Sequence, residues 1–260
     1  MTPLILASRS PRRRRLLAHL GLPFRVVIPQ VEEDIALAAA GRPEELAVAL
    51  ALAKAEAVAR EEGEGIVAAA DTIVVDGDTI LGKPADSSEA AATLHRLRGK
   101  THRVITALAV VDAGQLAFRG RRPPPQGGGI DATAFSAIRR GGVRMADSLW
   151  SAKSLEVPPA LAALAALADH VTTNVRMRPY SDAQIAAYVA GGDPLDKAGA
   201  YAIQDEAFHP VASYDGCYCN VVGLPLKALA ILLRRAGLDI TSDSLEALPP
   251  ECARCPIVVV

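Results

Sequence analysis

Aromatic side chains are scarce in this sequence of 260 residues, since phenylalanine, tyrosine and tryptophan together make up 4% of it. Half of the residues are nevertheless hydrophobic, so alanine, leucine and valine must build the core. This apolar content is ample for a folded domain of such length. The shortage of aromatics also leaves no interleaved stacking platform for a single-stranded nucleic acid.

An excess of charge of one sign is also lacking, because 28 lysines and arginines oppose 29 acidic residues and give a formal net charge of −1. No overall positive field is therefore available to hold a nucleic acid backbone. A nucleic-acid-binding module has only two arginine clusters in its favour, Arg12 to Arg15 and Arg119 to Arg122. We expect no nucleic acid partner and a local site for a small anion.

Long hydrophobic runs are the third absence. No run approaches the roughly eighteen apolar residues that a membrane helix needs. The apolar stretch Leu4 to Ala7 precedes the first basic run, whereas a signal peptide has its charge before its apolar core. These patterns predict a cytoplasmic protein without a membrane partner.

Cysteine is rare, and its four copies form two short-spaced pairs, Cys217 with Cys219 and Cys252 with Cys255. Such pairs could bind zinc if the C-terminal tail folded back. The alternative is reduced thiols, two beside a strand and two in a frayed tail. We favour the reduced thiols because the tail, residues 246–260, has little else to anchor it.

Short apolar runs alternate with amphipathic segments, a pattern that predicts an α/β fold. Ser10 is placed to cap a helix that begins at Pro11. The near-continuous apolar run Ile66 to Val75 indicates a strand covered on both faces. Further strands are expected at Leu4–Ala7, Phe24–Ile28, Thr79–Leu81, Thr101–Val111, Val171–Arg178 and near Asn220–Val222, and further helices at residues 43–62, 87–98, 182–190 and 225–236.

The segment from about Ala113 to His170 differs in composition from the rest. It contains an Arg-Pro-rich stretch, three consecutive glycines at Gly127 to Gly129 and the simple sequence Ala160 to Ala168, which is typical of a flexible segment. We predict a single domain over residues 1–245 with an inserted flexible segment at about 113–170, followed by a tail at 246–260.

Three features are candidates to carry chemistry. The loop Ser8-Arg9-Ser10 lies between the first strand and the first helix, where free backbone N–H groups favour phosphate oxygens. No P-loop pattern is present. Asp71 interrupts an apolar strand, and a carboxylate there must be paired, hydrogen-bonded or bound to metal. A capped helix with a solvated basic face, and a structural carboxylate, remain the alternatives for these two features. The third, residues 193–204, packs charges between small residues, and a surface turn with an internal Asp–Lys pair is its favoured alternative.

Five strings, in order along the chain, resemble the Maf family of nucleotide pyrophosphatases. They are Leu6-Ala7-Ser8 with Ser10-Pro11-Arg12-Arg13, Ala70 to Val74, Gly82-Lys83-Pro84, Asp196 to Gln204 and Val222 to Pro225. The resemblance implies an α/β fold of the inosine-triphosphatase-like type. That fold has a mixed twisted sheet flanked by helices and a substrate cleft between two lobes.

The resemblance also implies the site. Asp71 corresponds to the proton acceptor that activates the attacking water. Glu33, together with Asp71, corresponds to the ligands of a divalent cation, Mg²⁺ or Mn²⁺. The phosphate-binding residues would be Ser8, Arg13, Lys54 and Lys83, and the residues that set substrate choice would be Arg12, Thr72 and Gln204, a combination similar to that of the dTTP/UTP subgroup.

The function implied is hydrolysis of a nucleoside triphosphate, dTTP or UTP, to the monophosphate and pyrophosphate, with modified or other non-adenine nucleotides left open as substrates. The substrate is then the expected partner, and a homodimer is compatible with the resemblance. The alternative from another class is a non-catalytic regulator of cell division or septum formation on the same fold. The complete set of Ser8, Arg13, Asp71 and Lys83 favours the enzyme, because a pure binding protein need not retain all four.

Overall fold

The computed structural model describes residues 2–31, 42–120 and 166–257, with side chains to residue 116 in the second range. The strands in these ranges are β1 (Leu4–Ala7), β2 (Phe24–Val27), β3 (Ile66–Asp76), β4 (Thr79–Leu81), β5 (Thr101–Asp112), β6 (Ala166–Met177) and β7 (Val211–Asp215). The α-helices there are α1 (Pro11–Ala18), α2 (Pro43–Glu62), α3 (Ser87–Leu97), α4 (Ala113–Gly120), α5 (Asp182–Ala190), α6 (Tyr218–Val222), α7 (Leu226–Arg235) and α8 (Ser242–Glu246).

The strands form one mixed sheet in the order β2-β1-β3-β5-β6-β7, with β4 paired to β3. Both neighbours of β1 run parallel to it, whereas β5, β6 and β7 continue the sheet antiparallel. The chain leaves β1 through α1 to one neighbour and later returns through α2 to the other. Such a reversal of strand order creates a crevice beyond the carboxyl ends of the strands. The predicted mixed α/β fold is confirmed.

Alternation along the central strands separates two hydrophobic clusters on the two faces of the sheet. Ile5 of β1, with Val67 and Ala69 of β3, packs against buried alanines of α2. Leu6 and Ala68 point the other way, into a cluster formed with α1, α7 and the C-terminal tail. A third cluster, built from α3, α5 and β6, forms the core at the far end of the sheet.

Most predicted elements are present, but one is of the wrong type. The strand expected near Asn220–Val222 is wrong, because Tyr218–Val222 forms the short helix α6, which ends at Gly223 in a left-handed conformation. Two apolar residues before a glycine, Val221 and Val222, do not distinguish a strand from a last helical turn. The edge strand β7 was not predicted. Its neighbour in the sheet, β6, begins at Ala166 rather than at the predicted Val171. This strand therefore includes the end of the simple sequence that was expected to be flexible.

The C-terminal tail is packed rather than frayed, which corrects the sequence-based expectation. Helix α8 and a 3-10 turn at Pro250–Arg254 follow α7. Cys252, Cys255 and Ile257 are buried in the hydrophobic cluster that also contains α1 and α7. The tail therefore contributes to the core of the domain. None of the helices in the described ranges has the length and hydrophobicity needed to cross a membrane.

His102 on β5 is buried as a neutral side chain. Its Nε2 lies 2.8 Å from the Tyr201 hydroxyl oxygen, and within the described part of the chain its Nδ1 has no hydrogen-bond partner. Burial lowers the pKa of His102 from 6.5 to about 4, against a weaker opposing effect of the Asp76 carboxylate. The folded protein thus resists protonation of this ring.

We predict that His102 makes the fold acid-sensitive. Between its unfolded pKa of 6.5 and its folded pKa of about 4, only the unfolded chain binds the proton, so the free energy of unfolding is complete above this window and declines as the pH falls through it. The loss approaches roughly 3 kcal/mol at the lower end, by the conversion of about 1.4 kcal/mol per pKa unit. Urea unfolding at neutral pH and near pH 4.5 measures it.

The matched variant is His102→Gln, which keeps a polar partner for Tyr201 and does not titrate. All other titrating groups contribute equally to the parent and the variant. The difference between the two proteins in the free energy of unfolding lost on acidification is therefore the contribution of the His102 ring. We expect the variant to lose about 2 kcal/mol less on acidification than the parent does. Equal losses would contradict the prediction.

Candidate active site

A cleft of about 620 Å³ opens where β1 ends, at the reversal of strand order. Its wall contains eight of the nine residues predicted for the site, namely Ser8, Arg12, Arg13, Lys54, Asp71, Thr72, Lys83 and Gln204. The ninth, Glu33, lies outside the described residues. Residues from five distant parts of the chain thus meet in one place.

The loop after β1 offers hydrogen-bond donors to the cleft. Ser10 caps α1, with its side chain accepting from the Arg13 amide, and Pro11 occupies the first turn. The Ser10 amide donates to Ser8 Oγ at 3.1 Å, which holds the buried Ser8 hydroxyl at the floor of the cleft. A helix N-terminus with adjacent hydroxyls and guanidinium groups favours phosphate oxygens.

A buried ion pair joins α2 to β3. Alternation along β3 turns Asp71 to the same face as Val67 and Ala69, and that face packs against α2. Lys54 Nζ on α2 lies 2.6 Å from Asp71 Oδ1, and each side chain is 11% exposed. Because β1 ends alongside Ala69, Asp71 lies just beyond that strand and borders the cleft.

Thr72 lies on the opposite face of β3 and belongs to a chain of hydrogen bonds. Thr106 Oγ1 donates to the Asn220 carbonyl at 2.8 Å, so it accepts from Thr72 Oγ1 at 2.9 Å. The Thr72 oxygen in turn accepts from Arg13 Nη2 at 3.0 Å. The Thr72 proton is therefore directed into the protein, and its oxygen helps to orient Arg13.

The turn after α6 fixes the other side of the same guanidinium. Arg13 Nε donates to the Gly223 carbonyl at 2.8 Å. Gly223 has φ +119, and a Cβ there would lie 3.3 Å from Thr72 Oγ1 and 3.5 Å from Arg13 Nε. Glycine is required for this close approach because other residues rarely adopt such a backbone conformation.

Residues 193–201 form the opposite wall. The buried Lys197 ammonium contacts Asp196 Oδ1 at 2.6 Å and Asp193 Oδ1 at 2.9 Å. Arg12 Nη1 lies 3.3 Å from Asp196 Oδ2. Burial alone raises the pKa of Asp196, but Lys197 and Arg12 outweigh it and keep that pKa below its ordinary value. This wall is therefore ionic and tied to the first turn of α1.

Two predicted residues, Lys83 and Gln204, lie at the rim and are exposed. Lys83 follows Gly82, whose carbonyl accepts from the Gly199 amide at 3.1 Å, so the two sides of the cleft are joined there. Gln204 lies in the turn after Ala200, which has the left-handed φ of 61°. Because both side chains are exposed, neither has to break a buried contact in order to reach a ligand.

Sequence reasoning missed Thr106, Asn220 and Lys197 as site residues. Asn220 is fully buried, and its side chain accepts from the Thr106 amide and donates to the Val104 carbonyl and Thr173 Oγ1. A polar residue inside an apolar string was the available signal for Asn220. Its role depends on strands that are distant in sequence, so spacing could not reveal it.

The arrangement suits a polyphosphate. Arginine, lysine and hydroxyl groups surround a cavity that also contains one carboxylate with an unpaired oxygen, since within the described part of the chain Asp71 Oδ2 accepts no hydrogen bond. Stabilisation of phosphate charge together with a positioned water is the main requirement of phosphoanhydride hydrolysis. The site thus has the features of a phosphate-processing α/β enzyme.

The family to which this fold and cleft belong follows from comparison of the sequence. The family described as Maf-like protein matches residues 3–122 and 147–236, and these ranges include the cleft-lining residues described above. The chain therefore belongs to the Maf-like family. The family leaves residues 123–146 unmatched, and the inserted segment predicted at about 113–170 stays a prediction.

Curated relatives align along nearly the whole chain. A protein of Thermomicrobium roseum is 41% identical over 98% of this chain and 93% of its own length. Proteins of Moorella thermoacetica and Symbiobacterium thermophilum are 40% and 39% identical, over 92% of this chain and 98% and 97% of their own lengths. Each of the three carries the name dTTP/UTP pyrophosphatase.

We predict that Asn220→Ala lowers the free energy of unfolding by roughly 2–4 kcal/mol, because it leaves the Thr106 amide and the Val104 carbonyl buried without their partner. Urea unfolding measures the change. The exposed Asn174 on β6 offers the control, since Asn174→Ala should change stability by less than about 0.5 kcal/mol. A similarly small change in the free energy of unfolding at both positions would show that the hydrogen bonds of the Asn220 side chain do not stabilise the fold.

Proposed function

We propose that this protein hydrolyses dTTP and UTP between the α- and β-phosphates, releasing the monophosphate and pyrophosphate. The observation that carries the proposal is the Lys54–Asp71 pair, with Nζ and Oδ1 2.6 Å apart, in the same cleft as the Ser8 loop and Arg13. The names of the curated relatives support the same reaction. No observation favours a purely regulatory protein.

Asp71 is the proton acceptor in this proposal. Lys54 holds Oδ1, and Asp71 lines the cleft, so Oδ2 would accept the hydrogen bond of a water molecule there. A carboxylate within hydrogen-bonding reach of that water takes its proton as the oxygen attacks phosphorus. Lys54 then keeps the side chain oriented and balances its charge.

Phosphate oxygens are bound by the cations of the cleft. Arg13 is held from two sides, by Thr72 Oγ1 and by the Gly223 carbonyl, so it meets the triphosphate already oriented. The hydroxyl of Ser8 and the first turn of α1 add donors near the floor, and Lys83 adds a charge at the rim. Donors fixed before the reaction stabilise developing charge without the cost of reorganisation.

A divalent cation, Mg²⁺ or Mn²⁺, fits the donor chemistry of this site. Asp71 Oδ2 is a hard carboxylate oxygen, the ligand type that both ions prefer. Glu33 is the second ligand proposed from the family resemblance. When bound, the ion would neutralise phosphate charge and help to position the water.

Base recognition is assigned to Gln204, Arg12 and Thr72. The Gln204 carboxamide can donate to a carbonyl of uracil or thymine and accept from the N3–H of the base. Arg12 lines the same cleft as Gln204 and is held there by its pair with Asp196. Thr72 acts through Arg13, because its hydroxyl is already bonded to Thr106 and Arg13.

We predict that Asp71→Asn reduces turnover of UTP and dTTP by about 100- to 10,000-fold, because an amide cannot accept the proton. Pyrophosphate and monophosphate release at saturating Mg²⁺ or Mn²⁺ measure it. The control is Asp76→Asn on the same strand, which loses an ion pair with Arg96 but lies outside the cleft and should keep its turnover. Comparable turnover in the Asp71 variant would exclude Asp71 as the base, and release of orthophosphate by the parent would exclude α–β cleavage.

We predict that Gln204→Glu lowers kcat/KM for UTP and dTTP by roughly ten- to a hundredfold relative to a purine triphosphate. The carboxylate keeps the shape but removes the donor to the base carbonyl, a loss of about 1–3 kcal/mol. The measured quantity is the ratio of kcat/KM for UTP and GTP in one preparation. Gln184→Glu is the control for charge, since Gln184 caps α5 far from the cleft and glutamate serves equally well there. An unchanged ratio in the Gln204 variant would remove Gln204 from base recognition.

A further inference from the structure

All four cysteines of the chain meet in one buried cluster, which we call the thiol cluster. Cys217 caps the start of α6 and Cys219 lies in its first turn, whereas Cys252 and Cys255 lie in and directly after the 3-10 turn of the tail. Their exposed fractions are 1%, 0%, 3% and 7%. Two chain segments more than thirty residues apart therefore converge on this point.

Each thiol of the cluster is next to at least one other thiol. Cys219 Sγ lies 3.1 Å from Cys252 Sγ. The Cys217 side chain is a close neighbour of both the Cys219 and the Cys255 side chains. All four are free thiols, and the 3.1 Å separation exceeds the roughly 2.05 Å of a disulfide bond by about an ångström. The contacts form one continuous group of four sulfur atoms.

We propose that the thiol cluster binds one Zn²⁺ ion as a structural tetrathiolate site. Each segment contributes a short-spaced pair, C-x-C from the start of α6 and C-x-x-C from the tail. Two such pairs brought together by the fold are the usual source of the four ligands in a structural zinc site. The site is separate from the cleft, because none of the four cysteines lines it.

The geometry needs only a small expansion. A tetrahedral zinc site with Zn–S bonds of about 2.3 Å has sulfur atoms about 3.8 Å apart, whereas Cys219 and Cys252 are 3.1 Å apart. At the present side-chain positions, no group of three or more His, Cys, Asp or Glu among the described residues has the layout of a metal site. For the Cys219–Cys252 pair, an outward shift of a few tenths of an ångström at each sulfur supplies the difference.

The surroundings favour a closed site of this charge. Four thiolates and one Zn²⁺ carry a net charge of about −2, and Lys227 Nζ lies 3.3 Å from the Cys255 carbonyl, where it offsets part of that charge. The neighbouring side chains belong to the hydrophobic cluster of α1 and α7, so water has little access. A fully ligated, water-excluded ion has a structural rather than a catalytic role.

The consequence of binding is a fixed tail and a fixed α6. Cys219 precedes Asn220, whose carbonyl accepts from Thr106, and α6 ends at Gly223, which accepts from Arg13. The ion would therefore join the tail to the segment that orients Arg13. Its removal should loosen that segment without removing any group that touches substrate.

The first experiment measures metal in the full-length protein, expressed with Zn²⁺ in the medium and purified without chelator or affinity metal. We expect about one zinc per chain, and X-ray absorption should show four sulfur neighbours at about 2.3 Å. Replacement by Co²⁺ should give the intense visible bands of a tetrahedral thiolate complex. A protein with less than about one tenth of a zinc per chain, or with a Cys219–Cys252 disulfide by mass spectrometry under non-reducing conditions, would overturn the proposal.

The second experiment separates metal binding from thiol packing. The double variant Cys252→Ser with Cys255→Ser should lose zinc, and its melting temperature should no longer rise on addition of Zn²⁺ to chelator-treated protein. The control Glu251→Gln alters the same turn and should keep both the ion and the zinc-dependent rise. Equal zinc content in the double variant and the parent would place the ion elsewhere and overturn the assignment. Zinc content and melting temperature do not depend on catalysis. A protein without pyrophosphatase activity would therefore count against the proposed function but not against the zinc site.

Discussion

The buried ion pair between Lys54 and Asp71 is the interaction on which the site depends. A lone carboxylate inside the apolar strand β3 would be strongly unfavourable, and a lone ammonium on the inner face of α2 equally so. Contact at 2.6 Å makes both acceptable, and the pair in turn fixes the position of α2 along β3. The small side chains on the buried face of the helix, Ala51 and Ala55 among them, let it come close enough to β3 for Lys54 to reach Asp71.

The opposite face of the sheet solves a different problem, that of orienting a long flexible arginine. Hydrogen bonds run from Asn220 through Thr106 and Thr72 to Arg13, and Gly223 holds the guanidinium from the other side. Every donor and acceptor in this series has a defined direction, which rigidifies a polar network. The Asp71 carboxylate and the Arg13 guanidinium are thus supported from opposite faces of the same sheet.

The sequence predicted the elements around the cleft well because their signals are local. The Ser10 cap, the buried run of β3 and the Pro43–Glu62 helix all follow from neighbouring residues. The family resemblance named eight residues that the fold brings together. It could not provide the roles of Thr106 and Asn220, which arise from strand pairing. The frayed tail was wrong because the hydrophobic cluster that anchors it includes β1 and α1, which lie at the other end of the chain.

Strand pairing has a further consequence for how an active molecule is obtained. Asp71 stands opposite Ala107 and Thr72 opposite Thr106 in the ladder between β3 and β5. Both strands are apolar on both faces, so a slip of one position would still bury hydrophobic side chains. Such a slip exchanges the faces of the whole strand, and it would turn Asp71 toward α1 and Thr72 toward α2. Misaligned molecules would be compact, yet they would lack both the Lys54–Asp71 pair and the Thr72–Arg13 contact.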